Sequence, residues 1–418
     1  MKNIWILNHY IETPDTGKYT RHYTFAKELV KKGYKVKLFT ASTVHNTNIN
    51  FIKDKKKFIE KKVDGLSFVY VKARDYYGNG KKRALNMLDY AFRLLRITKE
   101  ITSNENFPDV IYASSPHLLT CISAILIAKK YRVSCVIEIR DLWPLTFVGM
   151  GKIREKQFIT KILYELEKWI YIKADRLIFT MEGGKEYIKD KGWENKVDLN
   201  KIYYINNGVD LEVFKRNSKE YTVEDDLLED KNFKVIYAGA IGEANMVDKI
   251  IKTAEILNGK SYNNIKFLLY GDGPKKKELE EYVIKNQISN VIFKGRVEKK
   301  YIPFILKSGQ LNITTGKNSI QYKYGFSQNK FFEYLASGKP ILSNRKYHNI
   351  LNVDKCGMTT VNESPEALAD GILKFYNMPE EEYHVYTQNA LKLARKFEFK
   401  ILANKLEEVL FNNVNQIR

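Results

Sequence analysis

The stretch SQNKFFEYLASGKPIL, residues 327–342, holds side chains that a buried packing helix does not need. Ser327 reads as an N-cap, with a helix over about 328–337 that Gly338 and Pro340 stop ahead of the strand ILSN. A helix amino end offers backbone N–H groups and a partial positive charge, and Lys330 in the first turn adds a full one. That combination suits a diphosphate. Glu333, one turn further in, is placed to accept hydrogen bonds from the two hydroxyls of a ribose. A capped packing helix with its acid in solvent is the alternative, and spacing alone does not choose between them.

Two other stretches place reactive groups at the ends of apolar runs. In EIRDLWP, residues 138–144, Glu138, Arg140 and Asp141 stand where a core strand has no ionisable group, and burying them unpaired is costly. A ligand-facing role competes here with a structural ion pair. TPDTGKYTR, residues 13–21, lies between the run NIWIL and a helical pattern. A loop with Gly17 and Lys18 lets backbone approach a phosphate, although an ordinary turn explains it as well. No G-x-x-x-x-G-K-[ST] or G-x-G-x-x-G occurs, which speaks against a P-loop NTPase and a dinucleotide dehydrogenase, and the absence of D-x-D agrees with metal-independent chemistry.

The elements that must position these groups follow from an alternation of short apolar, β-branched runs with longer helical patterns. NIWIL, YKVKLFTA, DVIYAS, SCVIEIR, RLIFT and KIYYI read as strands, and FKVIYAGAIG, IKFLLYGDG, NVIFKG, QLNITTG and PILSN as a second set. The spacing predicts helices near 117–131, 184–191, 246–258 and 275–286. A chain of 418 residues supports two cores. The expectation is an α/β protein of two doubly wound, Rossmann-like domains facing a central cleft. The boundaries read as 1–212 for the first domain, 213–385 for the second, and 386–418 for helices packing back on the first. NSKEYTVEDDLLEDKN, residues 217–232, reads as a linker or surface excursion. Gly239, Gly271, Gly273 and Arg296 fall at or just beyond carboxyl ends of second-domain strands, where ligands bind in open α/β sheets.

Lys and Arg outnumber Asp and Glu by 70 to 49, a net charge of +21, so anionic partners are expected. No Cys/His module or aromatic RNA-binding signature accompanies the charge, so nucleic acid is not among them. Cys121, Cys135 and Cys356 suggest neither a disulfide framework nor a zinc site, and fit a reducing cytoplasm. The longest apolar run, LLTCISAILIA at 118–128, is too short to span a bilayer. In KKRALNMLDYAFRLLRITKEI, residues 81–101, a stripe of Leu85, Leu88, Phe92 and Leu95 is ringed by Lys81, Lys82, Arg83, Arg93, Arg96 and Lys99. Such a helix docks on an anionic membrane or covers a sheet with its charges in solvent, and both readings stand.

The pattern S-x-N-K-x-x-E-Y-x-x-x-G-K-P-I-L resembles the nucleotide-binding helix of glycosyltransferase family 4, retaining enzymes of the GT-B fold. TGKYTRHYTFAKELVKKGYKV, EIRDLWP, INNGVD, VIYAGAIG, LLYGDGP and NVIFKGRV match the family in the same order along nearly the whole chain. The R-D-L-W-P and S-x-N-K forms most resemble the branch that transfers acetamido or deoxy sugars in bacterial surface polysaccharide synthesis, of capsule or O-antigen. The resemblance implies that Glu333 holds the donor ribose and that Ser327, Asn329 and Lys330 meet the diphosphate. Gly17, Lys18, Gly239, Gly271, Gly273 and Arg296 would complete the nucleotide-sugar site, and Arg140 and Asp141 would join Lys330 as catalytic groups. Two departures count against a simple transfer of roles. The family's acid eight residues before Glu333 is Gly325 here, and the arginine it carries after the first strand of the second domain is replaced where Ala240 follows Gly239. The implied enzyme uses no metal or other cofactor. It moves a sugar from a UDP-linked or similar donor to a polyprenyl-diphosphate-linked or glycan acceptor, at the inner face of the cytoplasmic membrane. A transferase with a soluble product, an epimerase of the same fold, and an impaired sugar-nucleotide-binding scaffold are the rivals.

Overall fold

The computed structural model describes residues 1–13, 20–45, 47–78, 80–102 and 107–411. The expected loop with Gly17 and Lys18 lies outside them. By internal contacts the described chain forms two units, one of residues 1–206 with the C-terminal segment from Phe399, the other of residues 207–398.

The first unit is built on eight strands: β1 (Asn3–Leu7), β2 (Lys35–Ala41), β3 (Phe58–Val63), β4 (Leu66–Val71), β5 (Val110–Ser114), β6 (Ser134–Ile139), β7 (Arg176–Phe179) and β8 (Ile202–Tyr204). They lie in the order β3-β4-β2-β1-β5-β6-β7-β8, parallel except for β3 against β4. β1, β5 and β6 are almost wholly buried, as expected of a parallel sheet covered by helices on both faces. The β3–β4 hairpin was not anticipated. Its turn is Asp64-Gly65 with φ of 51° and 80°, the two positive values of a type I′ turn, so the D-G pair between FIEKKV and LSFVYV carried the signal.

The helices Lys81–Ile101, Leu118–Tyr131 and Phe158–Lys173 pack in one layer, the middle one touching both others. The first of them buries Asn86, Tyr90, Leu94, Ile97 and Ile101. The stripe singled out in the sequence is therefore not the packing face. Leu85, Leu88 and Phe92 stay 42%, 44% and 61% exposed.

The second unit holds β9 (Phe233–Ala238), β10 (Ile265–Tyr270), β11 (Val291–Gly295), β12 (Leu311–Thr314), β13 (Ile341–Ser343) and β14 (Gly357–Thr359), parallel throughout in the order β11-β10-β9-β12-β13-β14. Its chain order reverses at β9, between β10 and β12, which opens a crevice at the carboxyl ends of those strands.

Three expectations about boundaries need correction. Half of the stretch read as a linker is helical: it covers the end of the helix Leu211–Glu220 and the short helix Asp226–Glu229. Asp210 and Asp225 cap them by accepting from Val213 N–H at 2.9 Å and Leu227 N–H at 3.1 Å. Phe214 and Leu228 bury with Val209 in a core of the second unit, which therefore begins at Asn207 and not at 213. The helix Glu380–Lys396 also stays in the second unit, because Ala390, Leu393 and Ala394 pack beside Phe332 and Leu335. Only the helix Phe399–Phe411 returns to the first unit, where Leu402, Ala403 and Leu406 join its core and Phe399 meets Phe25 edge-on at 5.5 Å. Among the described residues no helix is long and apolar enough to cross a membrane, and the three cysteines are buried and free.

Candidate functional site

The helix Asn329–Ala336 is fixed by its apolar face. Phe331, Phe332, Tyr334, Leu335 and Ala336 are buried, and the Tyr334 hydroxyl donates to the Ala238 carbonyl at 3.1 Å while accepting from the Ala238 N–H at 2.8 Å. That pair ties the helix to the end of β9. Its carboxyl end turns at Gly338 (φ 70°), with Leu391 closing on the glycine. Ser327 is not the N-cap. Its hydroxyl and carbonyl accept from the backbone and side-chain N–H groups of Asn207 at 3.3 and 2.7 Å, so it is committed to the INNGVD loop. Gln328 occupies the cap position without a side-chain cap bond, and among the described residues no side chain claims the first-turn N–H groups.

Lys330 is half-buried and points under the loop that follows β9. Its ammonium donates to Asn245 Oδ1 at 3.1 Å and lies 4.7 Å from the Tyr237 ring centre. Burial and the nearby Arg345 guanidinium push its pKa down to about 7. The loop itself is shaped by hydrogen bonds from the Tyr237 hydroxyl and Asn245 Nδ2 to the Ala240 carbonyl, at 2.7 and 2.9 Å. Glu333 is partly exposed and pairs with Lys299 at 3.3 Å, an exposed bridge that contributes little and is readily displaced.

Gly239, Gly271 and Gly273 come together because the loops after β9 and β10 run in contact. Gly239 N–H donates to the Tyr270 carbonyl and Ile241 N–H to the Asp272 carbonyl, both at 2.9 Å. At Gly271 (φ 145°) a Cβ would fall 1.8 Å from the Gly239 carbonyl oxygen, so only glycine lets the two backbones meet. Asn329 is the exposed first residue of the helix. Arg296 is exposed just past β11, and it is Lys299 that reaches Glu333. Gly325, where an acid was looked for, has φ 103° and ψ −173°, a conformation that an L side chain rarely adopts.

In the first unit, Glu138 is the buried member of EIRDLWP, and its partners come from other elements. Arg21 Nε and Nη2 donate to its Oε2 at 2.9 and 2.8 Å, the Tyr112 hydroxyl donates to the same oxygen, and the Ser114 hydroxyl donates to Oε1 at 2.9 Å. His22 Nε2 lies 3.0 Å from Oε1. Burial opposes the charge, but Arg21 foremost, with His22 and Arg140, holds the carboxyl well below the usual range. Burial in turn lowers the His22 imidazole. Arg140, half-buried, and Asp141, exposed, follow β6 directly, and Arg140 N–H donates to Ser115 Oγ at 3.2 Å. The ion-pair reading therefore applies to Glu138 with Arg21.

Sequence reasoning passed over a second buried polar group, at the carboxyl ends of β1 and β5. His9 Nε2 lies 2.7 Å from Asn86 Oδ1, and His117 Nε2 lies 3.0 Å from His9 Nδ1. Burial pushes His9 down to about 3 and lowers His117. The available signal was a histidine close behind each of two strands, in NHY and SSPH. Arg345 was missed as well, in the turn NRKYHN after β13. Among the described residues no cluster of three or more His, Cys, Asp or Glu is placed to hold a metal ion.

Residues 20–213 match the family model described as Glycosyltransferase Family 4, and residues 218–393 match the model described as Glycosyl transferases group 1. The "Probable glycosyltransferase WbjE" of Pseudomonas aeruginosa is 21% identical over 268 residues, 63% of this chain and 64% of that protein, so the match spans just under two thirds of the relative. Among solved structures, sucrose-phosphate synthase from Thermosynechococcus elongatus superposes with a TM-score of 0.74 at 14% identity over 98% of both chains. HepE from Anabaena, solved in complex with UDP, gives 0.67 at 14% identity over 98% of this chain and 99% of its own.

Proposed function

We propose that this chain, which has the GT-B fold and whose two halves match two glycosyltransferase family models, moves a sugar from a nucleotide-diphosphate donor to a hydroxyl acceptor, with retention of anomeric configuration. The observation that carries the reading is Lys330 beside the uncapped amino end of the Asn329–Ala336 helix, with Glu333 one turn away. Glu333 receives the ribose hydroxyls in exchange for its weak pair with Lys299. Helix N–H groups and Lys330 stabilise the charge that develops on the diphosphate as the bond from sugar carbon to phosphate oxygen breaks. The acceptor oxygen bonds to the same carbon from the same face, and its proton passes to the departing diphosphate. Positioning does the rest, and neither a protein nucleophile nor a metal is called on. In the first unit, Arg140 and Asp141 are the groups proposed to meet the acceptor. A UDP-linked acetamido or deoxy sugar and a polyprenyl-diphosphate-linked acceptor of surface polysaccharide synthesis are the favoured substrates, the UDP bound to HepE supporting the base. Gly325 and Ala240 keep a sugar-nucleotide-binding scaffold as the second reading.

Anion-exchange detection of nucleoside diphosphate released from a panel of nucleotide sugars tests the reading. Glu333→Ala is expected to lower kcat/KM by at least about 100-fold with the melting temperature unchanged. Donor binding without turnover by the unmodified protein, whatever the acceptor, points to the scaffold.

The lowered Lys330 pKa adds a pH signature. At pH 8 the free ammonium is mostly deprotonated, and a diphosphate beside it restores the proton. Binding should therefore take up close to one proton at pH 8 and weaken as pH rises from about 7 towards the higher pKa of the complex. Calorimetry in buffers of different ionisation enthalpy measures the uptake. Lys330→Met should abolish it, and equal uptake in that variant would remove Lys330 from the site.

Peripheral membrane contact is proposed for the helical layer of the first unit. Leu85, Leu88 and Phe92 are exposed on its first helix, Leu126 on the second, and Phe158, Ile159 and Ile162 on the third. Lys81, Lys82, Arg96 and Lys161 stand exposed among them. The protein should sediment with phosphatidylglycerol vesicles and not with phosphatidylcholine vesicles. Leu88→Glu with Phe92→Glu should cut that binding at least about tenfold, and undiminished binding would rule this face out.

A further inference from the structure

Lys330 has a cationic neighbour that the sequence patterns did not identify. Arg345 follows β13 and is 2% exposed. Its Nη2 donates to the Ala244 and Thr315 carbonyls, both at 3.3 Å, and its Cζ lies 5.0 Å from the Tyr322 ring centre. Nε and Nη1 are buried with no protein acceptor. The guanidinium lies directly against Gly316, where a Cβ would fall 1.7 Å from Nη2, so a glycine makes the room. Beside it Asn344 Oδ1 accepts the Gly316 N–H at 3.0 Å, which leaves Nδ2 as the free end of that amide, also buried and unpartnered. Three buried donor atoms, Arg345 Nε and Nη1 and Asn344 Nδ2, thus lack a partner, as do Thr314 Oγ1 two residues before Gly316 and Nε2 of His348, whose imidazole feels the Arg345 charge. What the three donors call for is an acceptor with several oxygens.

Arg345 and Lys330 also meet the same loop, through the Ala244 carbonyl and Asn245 Oδ1, and the charge of one lowers the pKa of the other. No carboxylate among the described residues forms an ion pair with either. A buried guanidinium beside a half-buried ammonium, with no counter-ion among the described residues, costs the folded chain stability, and an anion bound between them relieves the cost.

We propose that Arg345 is the second cation of the diphosphate site, supplying from the end of β13 the charge that Ala240 does not supply from the loop after β9. The proposal rests on the donor-site reading above. The planar fork of a guanidinium matches a phosphate oxygen pair, and Asn344 Nδ2 adds a third donor. Its rival is a purely structural arginine that props the Ala244 and Thr315 carbonyls.

The test compares, by titration calorimetry, whichever of UDP, GDP, dTDP or CDP binds the unmodified protein with the matching monophosphate. Arg345→Met should weaken the diphosphate at least tenfold and the monophosphate less than threefold, without lowering the melting temperature. If that variant does not fold, Arg345→Lys, which keeps the charge and loses the fork, should weaken the diphosphate at least threefold more than the monophosphate. An unchanged ratio of the two affinities in the folded variant overturns the proposal and leaves Arg345 structural. If none of the four diphosphates binds the unmodified protein, the donor-site reading itself fails and the proposal with it. If Lys330→Met loses the diphosphate while Arg345→Met keeps it, only the role of Arg345 fails.

Discussion

Uncompensated positive charge at the carboxyl edge of the second sheet is the constraint on which the candidate site depends. Lys330 and Arg345 converge on the loop after β9 with hydrogen bonds to neutral oxygens only. The first unit shows what the same chain does when a buried charge is structural. Glu138 is surrounded by Arg21, Tyr112 and Ser114 with His22 close by, so charge and lone pairs are answered within the fold. A buried network that is fully answered rigidifies a core, whereas one left short of acceptors costs stability until an acceptor reaches it.

The geometry around those cations comes from contacts within the second unit. Tyr334 bridges the helix to the last residue of β9, Asn207 draws Ser327 away from the helix end, and Gly271 lets the loops after β9 and β10 touch. Each contact lies outside the proposed chemistry and orients a group within it. Committing Ser327 elsewhere leaves the helix N–H groups unclaimed by a side chain.

The parts legible in the sequence were those written locally. Strands with continuous apolar runs, such as NIWIL and IKFLLY, sit where periodicity put them, and the S-x-N-K-x-x-E pattern set Lys330 and Glu333 on one short helix. What was not legible depends on distant partners. Ser327 has the composition of an N-cap, but Asn207, 120 residues earlier, determines its role. Arg345 reads as one cation in a polar turn, and only the adjacency of β12 to β13 brings Gly316 and Asn344 around it. The stripe of Leu85, Leu88 and Phe92 is as periodic as the face that packs, so periodicity alone could not tell which of two apolar faces stays in solvent. Gly325 read as a lost acid, yet its positive φ shows a backbone path on which an acid would be strained.

If the cations of the chain do the work that a divalent metal would otherwise do, a nucleoside diphosphate must bind without one. The most direct measurement is the melting temperature of the purified protein with UDP, GDP, dTDP or CDP in excess EDTA, and again with Mg²⁺. A ligand that binds only the native state raises it. A rise of several degrees with one diphosphate, equal in EDTA and in Mg²⁺, is the expected result. No rise with any of them, or a rise only with Mg²⁺, would contradict a metal-free donor site built on Lys330 and Arg345.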